Sequence, residues 1–153
     1  MAKISQEERN KKLEQYNAYI EQLFFTEGWA EVTLSRVAKH FNVSLSSVQR
    51  YFPKRKDLSL AFRHKLIGIV YEDLDVSSKA AFVDSWTNKL SQPRFRRIVE
   101  MFVQANMSDT LDEQASAAVS KLVQDLKKNM SAQDAHEAIE IAFGKVTLLN
   151  IQY

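Results

Sequence analysis

Residues 33–51 read TLSRVAKHFNVSLSSVQRY and contain two helix-start residues on either side of an asparagine. Thr33 and Ser44 are favoured residues at the start of a helix, because a side-chain oxygen there accepts a hydrogen bond from a free backbone N–H. Asn42 lies between them, and asparagine tolerates the left-handed conformation that often ends a helix. The pattern predicts two short helices joined by a tight turn, which is a helix-turn-helix.

Apolar residues recur in this stretch at helical spacing and predict a core that braces the second helix. They are Leu34, Val37, Ala38, Val43, Val48 and Phe52. The outward residues are then Leu45, Ser46, Ser47, Gln49 and Arg50. A helix that is braced from behind and protrudes in front can enter the major groove of DNA.

Helices are also predicted on both sides of this stretch. Ser5-Gln-Glu-Glu8 matches a capping box and starts an amphipathic helix, which we expect Gly28 to end in the left-handed conformation. Pro53 should end the second helix of the motif near Phe52, because proline has no N–H to donate.

Five further helices are expected, at about 54–70, 77–90, 93–107, 109–129 and 131–151. Pro93 suits a first helical position, and the segments 110–113 and 131–134 resemble helix starts. With three glycines, two prolines and few alternating stretches, the chain is predicted to be all-α.

Charge is distributed unevenly along the chain. Residues 1–65 hold 12 Lys/Arg and 7 Asp/Glu, whereas residues 66–153 hold 9 and 12. Within 33–65, eight basic residues accompany the single acid Asp57. The imbalance indicates that the first part of the chain meets a polyanion, and a solvated basic face is the alternative on charge alone.

Composition excludes several kinds of site. The chain has no cysteine, so it has neither disulfides nor thiolate metal sites. It lacks a glycine-rich phosphate loop and a spaced set of metal ligands, so we expect no enzyme activity, cofactor or metal. No segment reaches the roughly 20 apolar residues of a membrane span, and the N-terminal residues are polar. We therefore expect a cytoplasmic protein without a signal peptide or a membrane partner.

The run from Gly28 to Leu58 resembles the TetR/AcrR-type helix-turn-helix transcription regulators. It reads GWAEVTLSRVAKHFNVSLSSVQRYFPKRKDL and agrees in spacing and residue type with the family signature G-V-S-x-G-T-hydrophobic-Y-x-[HY]-F-x-S-K-E-[DE]-L. The resemblance covers about residues 10–65 and is one of architecture beyond them. It implies a three-helix DNA-binding domain over 1–56, followed by a short helical ligand-sensing and dimerisation domain over 57–153.

The resemblance also implies roles for individual residues. Thr33, Tyr51 and Arg55 fall where the family places phosphate contacts, and Ser44 caps the recognition helix. The groove-facing residues have suitable chemistry, since Arg can pair with guanine, Gln with adenine, and Leu45 can touch a thymine methyl. The expected DNA-binding residues are Thr33, Ser44, Leu45, Ser46, Ser47, Gln49, Arg50, Tyr51, Lys54, Arg55 and Lys56.

The sequence departs from the family pattern at several of these positions. Ser46 replaces a common glycine and Gln49 a common tyrosine, so the target cannot be taken from relatives. Lys54 and Lys56 replace serine and glutamate, and positive charge opposes the dipole at a helix start. A bound phosphate would offset that cost. We therefore predict that Lys54-Arg55-Lys56 forms a phosphate clamp, with an exposed basic turn as the alternative.

The final predicted helix is apolar on more than one side. One stripe contains Ala135, Ala138, Ile139, Ala142, Val146 and Leu149, and Ile141, Leu148, Ile151 and Tyr153 extend it around the helix. A helix of this kind is buried on several sides, which predicts a homodimer.

A set of aromatic and methionine side chains in the second half has two interpretations. Its members include Phe82, Trp86, Phe102, Met107 and Phe143. Core packing is the default, and a pocket for a small apolar or aromatic ligand is the sharper alternative.

Together these features and the resemblance imply a regulator that binds double-stranded DNA. We expect a repressor that binds a roughly palindromic operator as a homodimer and is released by a ligand. The alternative function is a helical protein–protein interaction module whose helix-turn-helix no longer binds DNA.

Overall fold

The structure is a computed structural model that describes residues 4–107, 113–149 and 151. Within these ranges the regular structure is helical and contains no strand, which confirms the all-α class. The chain divides into two compact units, the first ending at Leu66 and the second beginning at Ile67. The sequence analysis set this boundary at 56/57, ten residues earlier.

The first unit is built on three α-helices and two 3₁₀ segments. Helix α1 spans Gln6–Glu27, α2 spans Leu34–Phe41 and α3 spans Leu45–Gln49. The 3₁₀ segments are Trp29–Glu31, between α1 and α2, and Arg55–Ala61, after α3.

Helix α1 begins and ends at the predicted residues. The Ser5 hydroxyl accepts from the Glu8 N–H at 3.1 Å, and the Ser5 N–H donates to the Glu8 carboxylate at 2.9 Å. These bonds lower the pKa of Glu8. Gly28 ends the helix at φ 94° and ψ 172°. The positive φ favours glycine as predicted, but the ψ is extended, so the expected left-handed helical conformation was wrong.

The segment after Pro53 is not the single helix that was predicted from 54 to 70. A 3₁₀ helix over Arg55–Ala61 precedes helix α4, which spans Arg63–Tyr71, and Phe62 lies between them at φ −138°. The Phe62 ring stacks on Phe24 of α1 with centroids 4.1 Å apart, and Leu58 is fully buried. Burying these side chains against α1 bends the backbone and also moves the unit boundary beyond residue 57.

The second unit is organised around its last helix. Helices α5, α6, α7 and α8 span Lys79–Lys89, Pro93–Met107, Glu113–Lys127 and Ala132–Leu148. Helix α8 contacts the other three. Pro93 is the first residue of α6, as predicted. Ser131 caps α8 by accepting from the Asp134 N–H at 3.0 Å.

The start of α7 and the buried face of α8 relate to predictions made from the sequence. The predicted helix start over 110–113 falls largely on residues outside the described ranges. Helix α8 buries one face, through Ala135, Ala138, Ala142 and Val146, and these small side chains permit close packing of helices. No helix in the described ranges is both long and apolar enough to span a membrane.

Candidate nucleic-acid interface

The turn between α2 and α3 has the predicted geometry. The Thr33 hydroxyl accepts from the Arg36 N–H at 3.2 Å and so caps α2. Asn42 lies in the left-handed region at φ 52° and ψ 48°, and its N–H reaches the carbonyls of Ala38 and Lys39. Because this single residue changes the direction of the chain, α3 can begin only three residues later, at Leu45.

Three serine hydroxyls cluster at the start of α3. The Ser44 hydroxyl accepts from the Ser47 N–H at 3.3 Å. It also lies 3.0 Å from the Ser46 hydroxyl and 2.8 Å from the Ser47 hydroxyl. The cap residue therefore orients two of the predicted groove-facing side chains.

Helix α3 is shorter than predicted. It ends at Gln49 rather than near Phe52, because the N–H groups of Tyr51 and Phe52 both bond to the Val48 carbonyl, at 2.9 and 3.0 Å. This tight turn directs the Phe52 side chain into the core, where it is 2% exposed.

The two faces of α3 differ as the sequence predicted. The brace behind it contains buried Val37, Ala38, Val48 and Phe52 and half-buried Leu34 and Val43. On the outer face Leu45, Ser46, Gln49 and Arg50 are exposed, and Ser47 is half-buried. Across the described ranges, neither Gln49 nor Arg50 uses its side chain in a hydrogen bond or ion pair, so both are available to a partner.

Tyr51 contacts one aromatic ring and one cation of α1. Its ring meets the buried Tyr16 ring edge-on, with centroids 5.2 Å apart. Burial raises the pKa of Tyr16. The Arg9 guanidinium lies 5.5 Å from the centre of the Tyr51 ring. The sequence analysis missed Arg9, since no local pattern shows which turn of α1 packs beside Tyr51.

Arg55 has structural contacts that the sequence did not predict. Its Nε donates to the Val32 carbonyl at 3.0 Å and its Nη2 to the Trp29 carbonyl at 2.7 Å. The guanidinium also lies 4.9 Å from the centre of the Trp29 ring. A guanidinium has five N–H donors, so the predicted phosphate contact remains chemically open to Arg55.

The start of the second 3₁₀ segment bears on the predicted phosphate clamp. The Lys54 side chain makes no cap hydrogen bond there, as its residue type predicted, although the Asp57 carboxylate accepts from the Lys54 N–H at 2.8 Å. The side chains of Lys54 and Lys56 are exposed. They stay candidate phosphate contacts because of their charge and exposure.

Some basic residues of this unit form ion pairs with acidic residues, and others do not. Arg36 bonds to Glu27 and Glu31, each at 2.7 Å, and the bond to Glu27 raises the pKa of Arg36. Lys65 pairs with Glu21 at 2.8 Å. By contrast, Arg50, Lys54 and Lys56 have no acidic partner in the part of the chain that the structure describes.

The structure brings together only part of the predicted ligand set. Trp86 contacts Phe82, Phe95 and Phe143, with ring centroids 5.7, 5.0 and 5.5 Å apart. Phe102 is half-buried, and Met107 is 78% exposed at the end of α6. No group of residues suited to hold a metal ion occurs in the described ranges.

Comparison with known proteins adds a finding for the second unit. The family model of the tetracycline repressor LuxT C-terminal domain matches residues 63–149. The matched region runs from the first residue of α4 to the residue after α8 and covers more than half of the chain. A comparison with curated proteins gives no match. The family match and the helix-turn-helix resemblance come from different parts of the sequence and agree.

Proposed function

The chain belongs to the tetracycline repressor family of transcription regulators, and on this premise we propose that it is a repressor that binds a palindromic DNA operator as a homodimer. The observation that carries the proposal is the outer face of α3, where Gln49 and Arg50 are exposed and have no intramolecular partner in the described ranges. As a transcription regulator that binds DNA, the protein is proposed to act in the cytoplasm.

The proposed interface separates base contacts from phosphate contacts. Arg50 can donate two hydrogen bonds to guanine, and Gln49 can form two with adenine. We assign Thr33, Tyr51 and the exposed lysines Lys54 and Lys56 to the phosphate contacts, which fix the position of the recognition helix without reading sequence. Leu45, 44% exposed, supplies the apolar contact for a thymine methyl.

The homodimer is proposed from α8 and from the needs of DNA recognition. Ile141 and Leu148 of α8, and Leu149 and Ile151 just after it, are 39–51% exposed, and an exposed apolar patch usually meets a partner. A single recognition helix reads too few bases to specify a genomic site, whereas a two-fold dimer reads two half-sites. We propose that this apolar surface of α8 joins two copies of the chain.

Regulation is proposed to come from the second unit. A small apolar or aromatic molecule that binds among Phe82, Trp86 and Phe143 would favour a dimer whose recognition helices no longer fit the operator. A ligand can change DNA affinity only by as much as its own affinity differs between the two states.

Selection of bound sequences from a random duplex pool tests the proposal. We expect an enriched palindrome with two half-sites about one helical turn apart. Gln49→Ala or Arg50→Ala should relax preference at one position per half-site, by about 1–3 kcal/mol. Lys127→Ala, which removes a charge from the second unit, is the control and should leave the selected sequence unchanged. If the folded protein enriches no sequence and binds no duplex at low salt, the proposal is wrong.

A further inference from the structure

The indole of Trp86 contains a buried donor without an acceptor. Trp86 is 1% exposed in the second unit, and its Nε1 has no hydrogen-bond partner. Almost all buried polar groups in folded proteins are hydrogen-bonded, and an exception calls for an explanation. Tryptophan can only donate at this atom, so whatever satisfies it must be an acceptor.

Lys89 provides a buried positive charge on the same side of α5. It lies three residues after Trp86 and is 3% exposed. Residues three apart share a helix face. The Lys89 ammonium donates to the carbonyls of Ile69 and Glu72, but no carboxylate in the described ranges pairs with it. Buried charges are normally paired with an opposite charge, and this one is not.

Trp86 and Lys89 both lie close to the ring of Phe95. Phe95 lies 5.0 Å from the Trp86 ring, measured between centroids, and 5.1 Å from the Lys89 Nζ. The Trp86 ring also contacts the rings of Phe82 and Phe143. An orphan N–H and an ammonium without a carboxylate partner in the described ranges thus occur together beside aromatic rings.

These two observations define the chemistry of a ligand. A carboxylate offers acceptor oxygens and a negative charge, and hydrogen bonds to it from an ammonium are among the stronger ones in proteins. An ammonium has three N–H donors, and Lys89 uses two on backbone carbonyls, so one is left. An apolar or aryl body would match the surrounding rings.

We propose that the inward face of α5 is a binding site for a small carboxylic acid with an apolar or aryl body, held through Trp86 Nε1 and Lys89 Nζ. This inference rests on the proposed function, because it names the class of ligand that the second unit senses. The Lys89 ammonium would donate both to the bound acid and to the Ile69 carbonyl. Ile69 belongs to α4, which begins at Arg63.

Tryptophan fluorescence tests the proposal directly. The chain has two tryptophans, so Trp29→Phe leaves Trp86 as the sole reporter. In this background octanoate and 3-phenylpropionate are titrated up to about 1 mM, with octanamide and 3-phenylpropanamide as neutral controls of the same shape. We expect a saturable change in Trp86 fluorescence with at least one acid. The affinity for that acid should be at least about tenfold higher than the affinity for its amide.

Substitutions then assign the two groups. Lys89→Met keeps an unbranched apolar side chain of similar length and should reduce the affinity for the acid to that for the amide. Trp86→Phe keeps a ring but removes the N–H and the fluorescence reporter, so it is made in the wild-type background and measured by thermal shift. Binding of both the acid and its amide should be weaker. Lys127→Met is the matched control and should bind the acid as the parent does. If Lys89→Met does not fold, the comparison of acid with amide on the parent still decides the question.

Two results would overturn the proposal: equal affinity for acid and amide, or no saturable change with either acid while the protein is folded. Neither measurement uses DNA. Failure here therefore leaves the proposed DNA binding untouched, and failure of DNA binding does not alter the result with the acids.

Discussion

Arg55 illustrates at the residue scale how one side chain can have a structural and a functional role. Its bonds to the Trp29 and Val32 carbonyls join the two 3₁₀ segments of the first unit. We predict that Arg55→Ala lowers the free energy of unfolding by about 1–2 kcal/mol, because two hydrogen bonds from a charged donor are lost at an exposed site. Urea denaturation measures the change, and Lys56→Ala, a neighbouring exposed charge, should stay within about 0.5 kcal/mol.

The same substitution tests the predicted phosphate contact independently. Loss of one phosphate contact should flatten the dependence of log affinity on log salt by about one unit and weaken binding to all sequences alike. An unchanged slope together with reduced stability would leave Arg55 with the structural role alone. Unchanged stability would contradict the role inferred from its two carbonyl partners.

Asp125 is the centre of a charged cluster in the second unit and should make stability depend on pH. It accepts hydrogen bonds from Lys128, Tyr71 and Lys121 at 2.6, 2.7 and 3.0 Å, which hold its pKa well below the usual 3.8. A lowered pKa in the folded state stabilises the fold above the unfolded pKa, and this contribution is lost as the pH falls below about 4.

We therefore predict that Asp125→Asn destabilises the protein by about 1–3 kcal/mol at pH 7 and by progressively less below pH 4. Unfolding in urea at several pH values gives the difference between the variant and the wild type. A difference that stays constant from pH 7 to pH 3 would show that the carboxylate charge does not carry the effect.

At the scale of single elements, the recognition helix depends on its cap. Helix α3 has five residues, too few to be stable by its own propensity. Ser44→Ala removes the acceptor for the Ser47 N–H and should cost about 1 kcal/mol. Ser46→Ala is the matched control, since the Ser46 hydroxyl contacts Ser44 but caps no backbone N–H. Thermal unfolding compares the two, and equal losses would contradict a capping role specific to Ser44.

Helix ends that depend on neighbouring residues in the sequence could be predicted. Helix ends that depend on tertiary packing could not. The caps at Ser5, Thr33 and Ser44 depend on residues within three positions, and the structure has all of them. The early end of α3 and the break at Phe62 depend on which rings enter the core. A propensity pattern continues through both points because it contains no information on tertiary contacts.

The candidate interface divides in the same way. Exposure of Gln49 and Arg50 follows from helical spacing and was predictable. The position of Arg9 beside Tyr51 requires contacts between residues 42 positions apart, and the two carbonyl partners of Arg55 lie 23 and 26 positions away. Such contacts leave no periodic signal in one sequence.

At the scale of the whole molecule, the sequence separated a basic first part from an acidic second part and predicted a domain boundary at 56/57, whereas the first compact unit ends at Leu66. The family signature ends at Leu58, whereas the first unit extends to Leu66, and Leu58, Ala61 and Phe62 are buried in it. The second unit has no short motif, and its family became evident only from a match that spans residues 63–149.

The proposed dimer, on which the proposed operator recognition depends, can be tested through the exposed apolar residues of α8. Ile141 and Leu148 are seven residues apart, two turns of α8, and are 40% and 47% exposed. Ile141→Glu combined with Leu148→Glu places two charges in the proposed interface, where burial without a partner is strongly unfavourable. We expect sedimentation equilibrium at micromolar concentration to show a dimer for the wild type and a monomer for the double variant.

Because the substituted side chains are exposed in the single chain, the double variant should keep its helical content, and its operator affinity should fall by at least about tenfold through loss of the second half-site. His136→Glu, an exposed change on the same helix, is the control and should remain dimeric. A double variant that is still a dimer would move the interface away from this surface of α8. A wild type that is monomeric and still binds its operator tightly would mean that one recognition helix suffices, which contradicts the argument for a two-fold assembly.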